Sequence, residues 1–458
     1  MRMSKKIPPQ TIRPAHSKPG RHVLYLAVFL AFSVVLGAAI GPASAQRATP
    51  GANSAASRDA ALREATNEVL KETSEIRELS VLRPVQSSAQ SRAEIERMIM
   101  TNLDHETTPG QLHATEVTLK KLGLVPPDFH FRDLMVRLLT EQVAGYYEPK
   151  TQQFHLADWI DVDGQRPIMA HELTHALQDQ HFNLRRFEHW PRGDSDAEIA
   201  AHALIEGDAT LAMSHYVARS PMRALALFKS LGTTGMTSQE LDKAPRVVRE
   251  SLLFPYQEGL SWTNTLYKYG GWDRISQAFT TLPQSTEQIL HADKYFVHEP
   301  PVKVSLPDLT ATLNGRGRAI VWKKIDSDVN GEFGFYLILD QFLKAQAESE
   351  QAAAGWGGDN YAVYESRTGE VLVVSLSDWD REKDAREFFE AYVKRTGLRL
   401  AEMKAANSTP DGRTATSASW TTAEGRITVE LRGKRVLISE GLPVRVNVTK
   451  VTRALWGE

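Results

Sequence analysis

The sequence predicts an α+β protein in which a mostly helical domain precedes a smaller domain of mixed strands and helices. Two patterns support this prediction. Apolar residues recur at helical spacing over most of the first 300 residues, interrupted by one hairpin pattern. From about Lys303, short apolar strands alternate with helices instead. The predicted divisions are a leader (1–45), an N-terminal helical region (46–103), a main domain (104–300) and an α+β C-terminal domain (301–458).

The first 45 residues have the features of a targeting segment. Six basic residues and no acidic residue precede an apolar run from Val23 to Ile40, and Ala43-Ser44-Ala45 fits a cleavage site. We expect a signal peptide that is cleaved before Gln46, which would place the protein outside the cytoplasm, either secreted or periplasmic. If the leader is not cleaved, residues 23–40 would anchor the protein in a membrane.

Composition excludes several classes of site. The 458 residues include no cysteine, so disulfides and thiolate metal ligands are both excluded. The formal net charge is −2, and loss of the six basic residues of the leader would make it −8. A weakly acidic chain argues against nucleic acid as a partner.

The N-terminal region and the start of the main domain contain helices and one hairpin. Helical patterns cover about Asp59–Leu79 and Ser91–Leu103, and they could form either a pro-region or the first lobe of the fold. Two apolar strands follow, over Val143–Tyr147 and Gln153–Ala157, with a proline-containing turn between them. The hairpin could hold an extended peptide at its free edge or be purely structural.

The next helical pattern contains a His-Glu-x-x-His motif. His171 and His175 are four residues apart, so both imidazoles leave one face of a helix and can bind the same zinc ion. Glu172 adjoins the first ligand and can act as a general base toward a water molecule. Pro167 suits the first turn of this helix, because a helix leaves its first N–H groups unbonded.

A catalytic zinc needs a third protein ligand, and the sequence offers several. Glu206 lies on a second, alanine-rich helix together with Glu198 and His202, which share its face. His181 has the spacing of another zinc pattern, but that pattern needs a glycine where this chain has Gln178. Without glycine the helix should continue and carry His181 away from the ligand face. Glu206 is therefore the favoured ligand, with His181, His202 and Glu198 as alternatives.

At these residues the chain resembles zinc metallopeptidases of the gluzincin group, in which His-Glu-x-x-His is combined with a glutamate on a second helix. The resemblance implies a zincin-like fold, Zn²⁺ bound by His171, His175 and Glu206, and hydrolysis of peptide bonds with Glu172 as general base. That family often has an aspartate four residues after the glutamate, where this chain has Thr210. Thr210, Glu198 or a main-chain carbonyl could replace it in orienting a zinc histidine.

The resemblance also implies a second group that stabilises the oxyanion. His291 is the leading candidate, since a downstream histidine or tyrosine often has this role in gluzincins. The other candidates are Tyr295, Tyr147 and Tyr146.

A longer resemblance is to secreted bacterial proteins described as metallopeptidases, whose substrates the resemblance does not give. It extends over His171–Gln180, Ser285–His291 and Ala354–Asp359. The expected partner is a peptide or protein substrate. Two alternatives remain open: a zinc-binding protein without catalysis, and a zinc amidase acting on a component of the cell envelope.

Overall fold

A computed structural model describes residues 52–159, 161–191, 193–224, 239–315, 321–403 and 409–458. The predicted leader, with its cleavage site and possible anchor, lies outside the described residues. Within these ranges, none of the helices has the length and apolar composition needed to cross a membrane.

The helices and strands are numbered in chain order over the described residues. The helices are α1 (Ala52–Arg77), α2 (Arg92–Glu106), α3 (Pro109–Leu122), α4 (Phe131–Gln142), α5 (Arg166–Phe182), α6 (Ser195–Ala218), α7 (Gln239–Lys243), α8 (Arg246–Ala278), α9 (Thr286–Leu290), α10 (Ala292–Phe296), α11 (Thr310–Asn314), α12 (Gly331–Leu343), α13 (Gln346–Ala353), α14 (Glu382–Glu402) and α15 (Val448–Trp456). The strands are β1 (Gln86–Gln90), β2 (Gly145–Glu148), β3 (Gln153–Ala157), β4 (Trp322–Asp328), β5 (Trp356–Ser366), β6 (Val371–Trp379), β7 (Gly412–Arg413), β8 (Ser417–Thr422), β9 (Gly425–Arg432) and β10 (Arg435–Leu442).

The architecture is mixed α+β, as predicted. A three-stranded sheet has the order β1-β3-β2, in which β2 and β3 form the predicted antiparallel hairpin. The strand β1 pairs parallel to β3 and was not predicted, because its sequence Gln-Ser-Ser-Ala-Gln has no apolar alternation. The chain's second sheet has seven strands in the order β4-β5-β6-β10-β9-β8-β7, and all its pairs are antiparallel.

The helix α6 is the centre of the helical part of the molecule. It is buried from Ser195 to Ala212 except at Thr210, and it packs against α1, α5 and α8. At the crossing with α8 the two backbones come into direct contact: an added Cβ on Gly207 would lie 2.2 Å from the carbonyl oxygen of Gly259. Glycine at both positions therefore permits a crossing closer than any side chain would allow.

One continuous apolar core runs from α1 to one face of the seven-stranded sheet, across the predicted boundary at residue 300. The other face of the sheet has a smaller core with α11 and α15. Trp356 is buried at the start of β5, where its indole N–H donates to Asp359. This tryptophan is therefore part of the core.

Candidate metal centre

Three side chains from two helices converge on one point. The helix α5 has Pro167 in its first turn and continues to Phe182, with Asn183 in a left-handed conformation after it. It presents His171 and His175 toward Glu206 of α6. The Nε2 atoms of the two histidines are 3.1 Å apart, and they lie 3.2 Å and 3.5 Å from Glu206 Oε2. Within the described ranges, no other group of three or more histidine and acidic residues has its ligand atoms this close together.

These distances match those between the ligands of a tetrahedral zinc ion. Zinc bonds to nitrogen and oxygen of about 2.0–2.1 Å imply ligand atoms roughly 3.3 Å apart. The rings of His171 and His175 are nearly perpendicular, at 87°, so both can direct Nε2 at the same point. Two imidazole nitrogens and one carboxylate also form a donor set that favours zinc over magnesium or calcium.

The centre is deeply buried, since none of His171, His175 and Glu206 is more than 2% exposed. Burial would raise the pKa of Glu206, but the neighbouring imidazoles of His175 and His171 outweigh it and hold that pKa at about 2. Burial lowers the pKa of His171. For His175, burial acts in the same direction, but the Glu206 carboxylate outweighs it and raises the pKa to about 9. The three side chains together thus favour a positive charge beside Nε2 of His175, either a proton or a metal ion.

Gln178 fixes which nitrogen of His175 faces the centre. The amide Nε2 of Gln178 donates to the carbonyl of Ile205 at 3.0 Å, and a carbonyl can only accept. Its Oε1 therefore faces Nδ1 of His175, at 2.8 Å, and accepts a hydrogen bond from it. With one proton held on Nδ1, Nε2 is the nitrogen that takes either a second proton or a metal ion.

The residue that orients His175 is thus not among those predicted. Thr210 makes no side-chain hydrogen bond within the part of the chain that the structure describes. Asp208 is linked to His175 through Gln178, since Oδ2 of Asp208 accepts from Nε2 of Gln178 at 2.9 Å. A carboxylate therefore supports the histidine through an intervening amide. Gln178 lies three residues after His175, on the same helix face, and that spacing was the only signal in the sequence.

Glu172 is fully buried beside the centre. Its Oε2 accepts the backbone N–H of Tyr147 at 3.0 Å, so β2 holds the carboxylate against α5. The same tyrosine donates its hydroxyl to Asp179 Oδ2 at 3.0 Å, near the end of α5. On the opposite side, Tyr256 of α8 stacks on the ring of His171, with centroids 6.1 Å apart.

Within the described residues, none of the three alternative ligands belongs to the group formed by His171, His175 and Glu206. As predicted, α5 continues past Gln178, and Nε2 of the half-buried His181 contacts the carbonyl of Ser80 at 2.8 Å. His202 is buried one turn before Glu206, and burial lowers its pKa to about 4, so it is neutral at pH 7. Glu198 is buried nearer the start of α6.

The predicted oxyanion donors all have hydrogen-bond partners of their own. His291 is part-exposed after α9, where its Nε2 lies 2.8 Å from Oε1 of Glu332 and this carboxylate raises the pKa of His291. The tyrosine hydroxyls donate to other groups: Tyr295 to the Thr281 carbonyl, Tyr146 to Gln90 and Tyr147 to Asp179. None of these four belongs to the group formed by His171, His175 and Glu206.

Comparison with known proteins gives one match. Residues 318–452 match a family described as a domain of unknown function, DUF8575. The matched region covers the strands of the seven-stranded sheet and the helices α12 to α14, and it includes none of the residues of the metal centre. No curated protein and no solved structure matches the chain.

Proposed function

We propose that this protein is an extracytoplasmic zinc-dependent metallopeptidase with a zincin-like catalytic domain. The observation that carries the proposal is the convergence of His171, His175 and Glu206 at distances of 3.1–3.5 Å, which suits a tetrahedral zinc ion. The orientation of His175 supports it, because Gln178 accepts from Nδ1 and leaves Nε2 facing the other two ligands. The edge strand β2, which lies against α5, is consistent with a zincin-like arrangement.

The chain's own residues would divide the chemistry as follows. His171, His175 and Glu206 would hold the zinc ion, which would supply a Lewis acid and make water more acidic. Glu172 accepts the proton released as water attacks the substrate carbonyl, and then delivers it to the leaving nitrogen. Tyr147 holds Oε2 of Glu172 through its backbone N–H, which fixes the carboxylate for this transfer. A role for His291 at the oxyanion stays a prediction, since its Nε2 contacts Glu332.

Burial of the centre has a consequence for the proposed catalysis. The three ligands and Glu172 are each at most 2% exposed, so little of these side chains is open to solvent. The same burial favours a second candidate, a protein that binds zinc without catalysis. A zinc amidase acting on the cell envelope would use the same residues on a different bond.

The test compares the purified protein with its Glu172→Gln variant. Both are loaded with zinc and assayed on a library of quenched fluorescent peptides and, separately, on peptidoglycan fragments. We expect peptide cleavage by the wild type and none by Glu172→Gln, with one zinc bound in each. Cleavage of the peptidoglycan fragments alone would support the amidase. Zinc binding with no hydrolysis in either assay would support the non-catalytic candidate.

A further inference from the structure

Arg77 is a fully buried cation at the C-terminal end of α1. Its Nε donates to Oδ1 of Asp208 at 2.6 Å. The other carboxylate oxygen of Asp208 accepts from Gln178, whose Oε1 in turn accepts from His175. A chain of hydrogen bonds between buried side chains therefore runs from α1 to a ligand of the candidate metal centre.

The helix α8 holds Arg77 in place from its other side. The Nη1 atom donates to the hydroxyl of Ser276 at 3.1 Å and lies 3.5 Å from the carbonyl of Trp272. The guanidinium also lies over the indole ring of Trp272, 4.9 Å from its centroid. Arg77 is therefore fixed in position, and it can fix the position of Asp208.

A buried carboxylate is stable only with partners that match its charge. Asp208 has Arg77 on one oxygen and the amide of Gln178 on the other. Loss of the guanidinium would leave the carboxylate without its ionic partner, and Asp208 would no longer be held in its position. The amide of Gln178 would then lose one of the two acceptors that fix its orientation, and with it part of the restraint on His175.

We propose that Arg77 is a positioning residue of the metal centre, acting on His175 through Asp208 and Gln178. This inference rests on the proposed function, because it takes His175 as a metal ligand. The inference also makes α1 a part of the domain that contains the metal centre. Because α1 supplies Arg77 and packs its apolar face against α5 and α6, its removal as a pro-region would dismantle the support of the centre.

The test measures zinc affinity in variants of the purified protein, by competition with a chromogenic chelator. Arg77→Met removes the cation from the chain of hydrogen bonds. The matched control is Arg223→Met, because Arg223 also ties α1 to the following helices, through Glu72 at 2.7 Å, without contacting the centre. A second readout is the visible absorption spectrum of the cobalt-loaded protein, which reports the geometry of the metal ligands. Thermal unfolding in EDTA checks that each variant folds.

We expect Arg77→Met to weaken zinc binding by about 10-fold, the lower end of the range for direct partners of metal ligands, because Arg77 acts through two intervening side chains. Its cobalt spectrum should change, whereas Arg223→Met should keep the wild-type affinity and spectrum even if it unfolds at a lower temperature. If Arg77→Met does not fold, Arg77→Gln, which also lacks the cation, is judged by the same two readouts. Wild-type affinity and spectrum in a folded Arg77 variant would overturn the inference.

Two further results separate this inference from the proposed function. Absence of zinc binding in the wild type would refute the proposed function as well, whereas zinc binding that is unchanged in the Arg77 variants would refute the inference alone.

Sequencing the N-terminus of the zinc-loaded, secreted protein should find that it begins before α1. A mature chain that begins after Arg77 and still binds zinc would also overturn the inference.

Discussion

Replacement of Gly207 by alanine should force two helices apart beside the metal centre. Gly207 follows the ligand Glu206 on α6 and faces the backbone of α8. An added Cβ would lie 2.2 Å from the oxygen and 2.3 Å from the carbonyl carbon of Gly259. Ordinary contact needs about 3.5 Å, so the backbones must separate by roughly 1 Å. A main-chain carbonyl within a helix cannot rotate away as a side chain could.

Two opposing effects set the size of the change. Alanine is favoured over glycine within a helix by about 0.5–1 kcal/mol. Overpacking in a dense core typically costs about 1–3 kcal/mol, and the contact with rigid backbone places this site toward the upper end. The overpacking cost at this upper end exceeds the gain in helix propensity, so we expect Gly207→Ala to lower the free energy of unfolding by about 2 kcal/mol. Zinc affinity should also fall, because α8 supplies Tyr256 against His171 and would move relative to Glu206.

The assay is urea unfolding together with zinc titration, with Gly110→Ala as the control. Gly110 is exposed within α3, and an added Cβ there would meet no described atom within 4 Å. The same substitution should therefore raise the free energy of unfolding at Gly110 by about 0.5–1 kcal/mol and leave zinc affinity unchanged. If Gly207→Ala is as stable as the wild type and binds zinc equally well, the close crossing of α6 and α8 is wrong.

Three further predictions concern pH, zinc and β2. Burial raises the pKa of Asp328 to about 6, so its contribution to stability is present at low pH and is lost as the pH rises from about 4 to 6. In the wild type, urea unfolding should detect a fall of about 3 kcal/mol in the free energy of unfolding over this pH range. Asp328→Asn should not show this fall, and pH profiles of the same shape in the two proteins would contradict the prediction. Zinc at a hundredfold excess over its Kd should stabilise the fold by about 2.7 kcal/mol, and EDTA should reverse the rise in Tm; an unchanged Tm would count against the centre. Tyr147→Phe removes the hydrogen bond to Asp179 but keeps the N–H bond to Glu172, so it should cost about 1 kcal/mol without changing zinc affinity, and a fall in affinity would refute this separation.

The parts of the site that depend on one helix could be predicted from the sequence. The four-residue spacing of His171 and His175 places both rings on one face whatever the rest of the fold does. The choice of Glu206 needed only ligand chemistry and a second helix with acids on one face, and the structure brings this residue to both histidines. The hairpin of β2 and β3 was predicted because its strands are apolar and enclose a turn.

The support of the centre could not be predicted, because it depends on packing between distant segments. Arg77 and Asp208 are 131 residues apart, and nothing in either local sequence indicates the pair. Asp208 lies two residues after Glu206, where the family's aspartate lies four residues after, and it is linked to His175 through Gln178. The strand β1 could not be predicted for a similar reason, since its polar residues form a strand by pairing with the distant strand β3.

Zinc stoichiometry of the purified protein tests the central claim most directly, in the wild type, in Glu206→Ala and in His181→Ala as the control. The proposed centre predicts one zinc per chain in the wild type and in His181→Ala, and loss of zinc in Glu206→Ala. Zinc that is retained without Glu206 but lost without His181 would contradict the assigned ligand set. No zinc in any of the three proteins would contradict the metal centre itself.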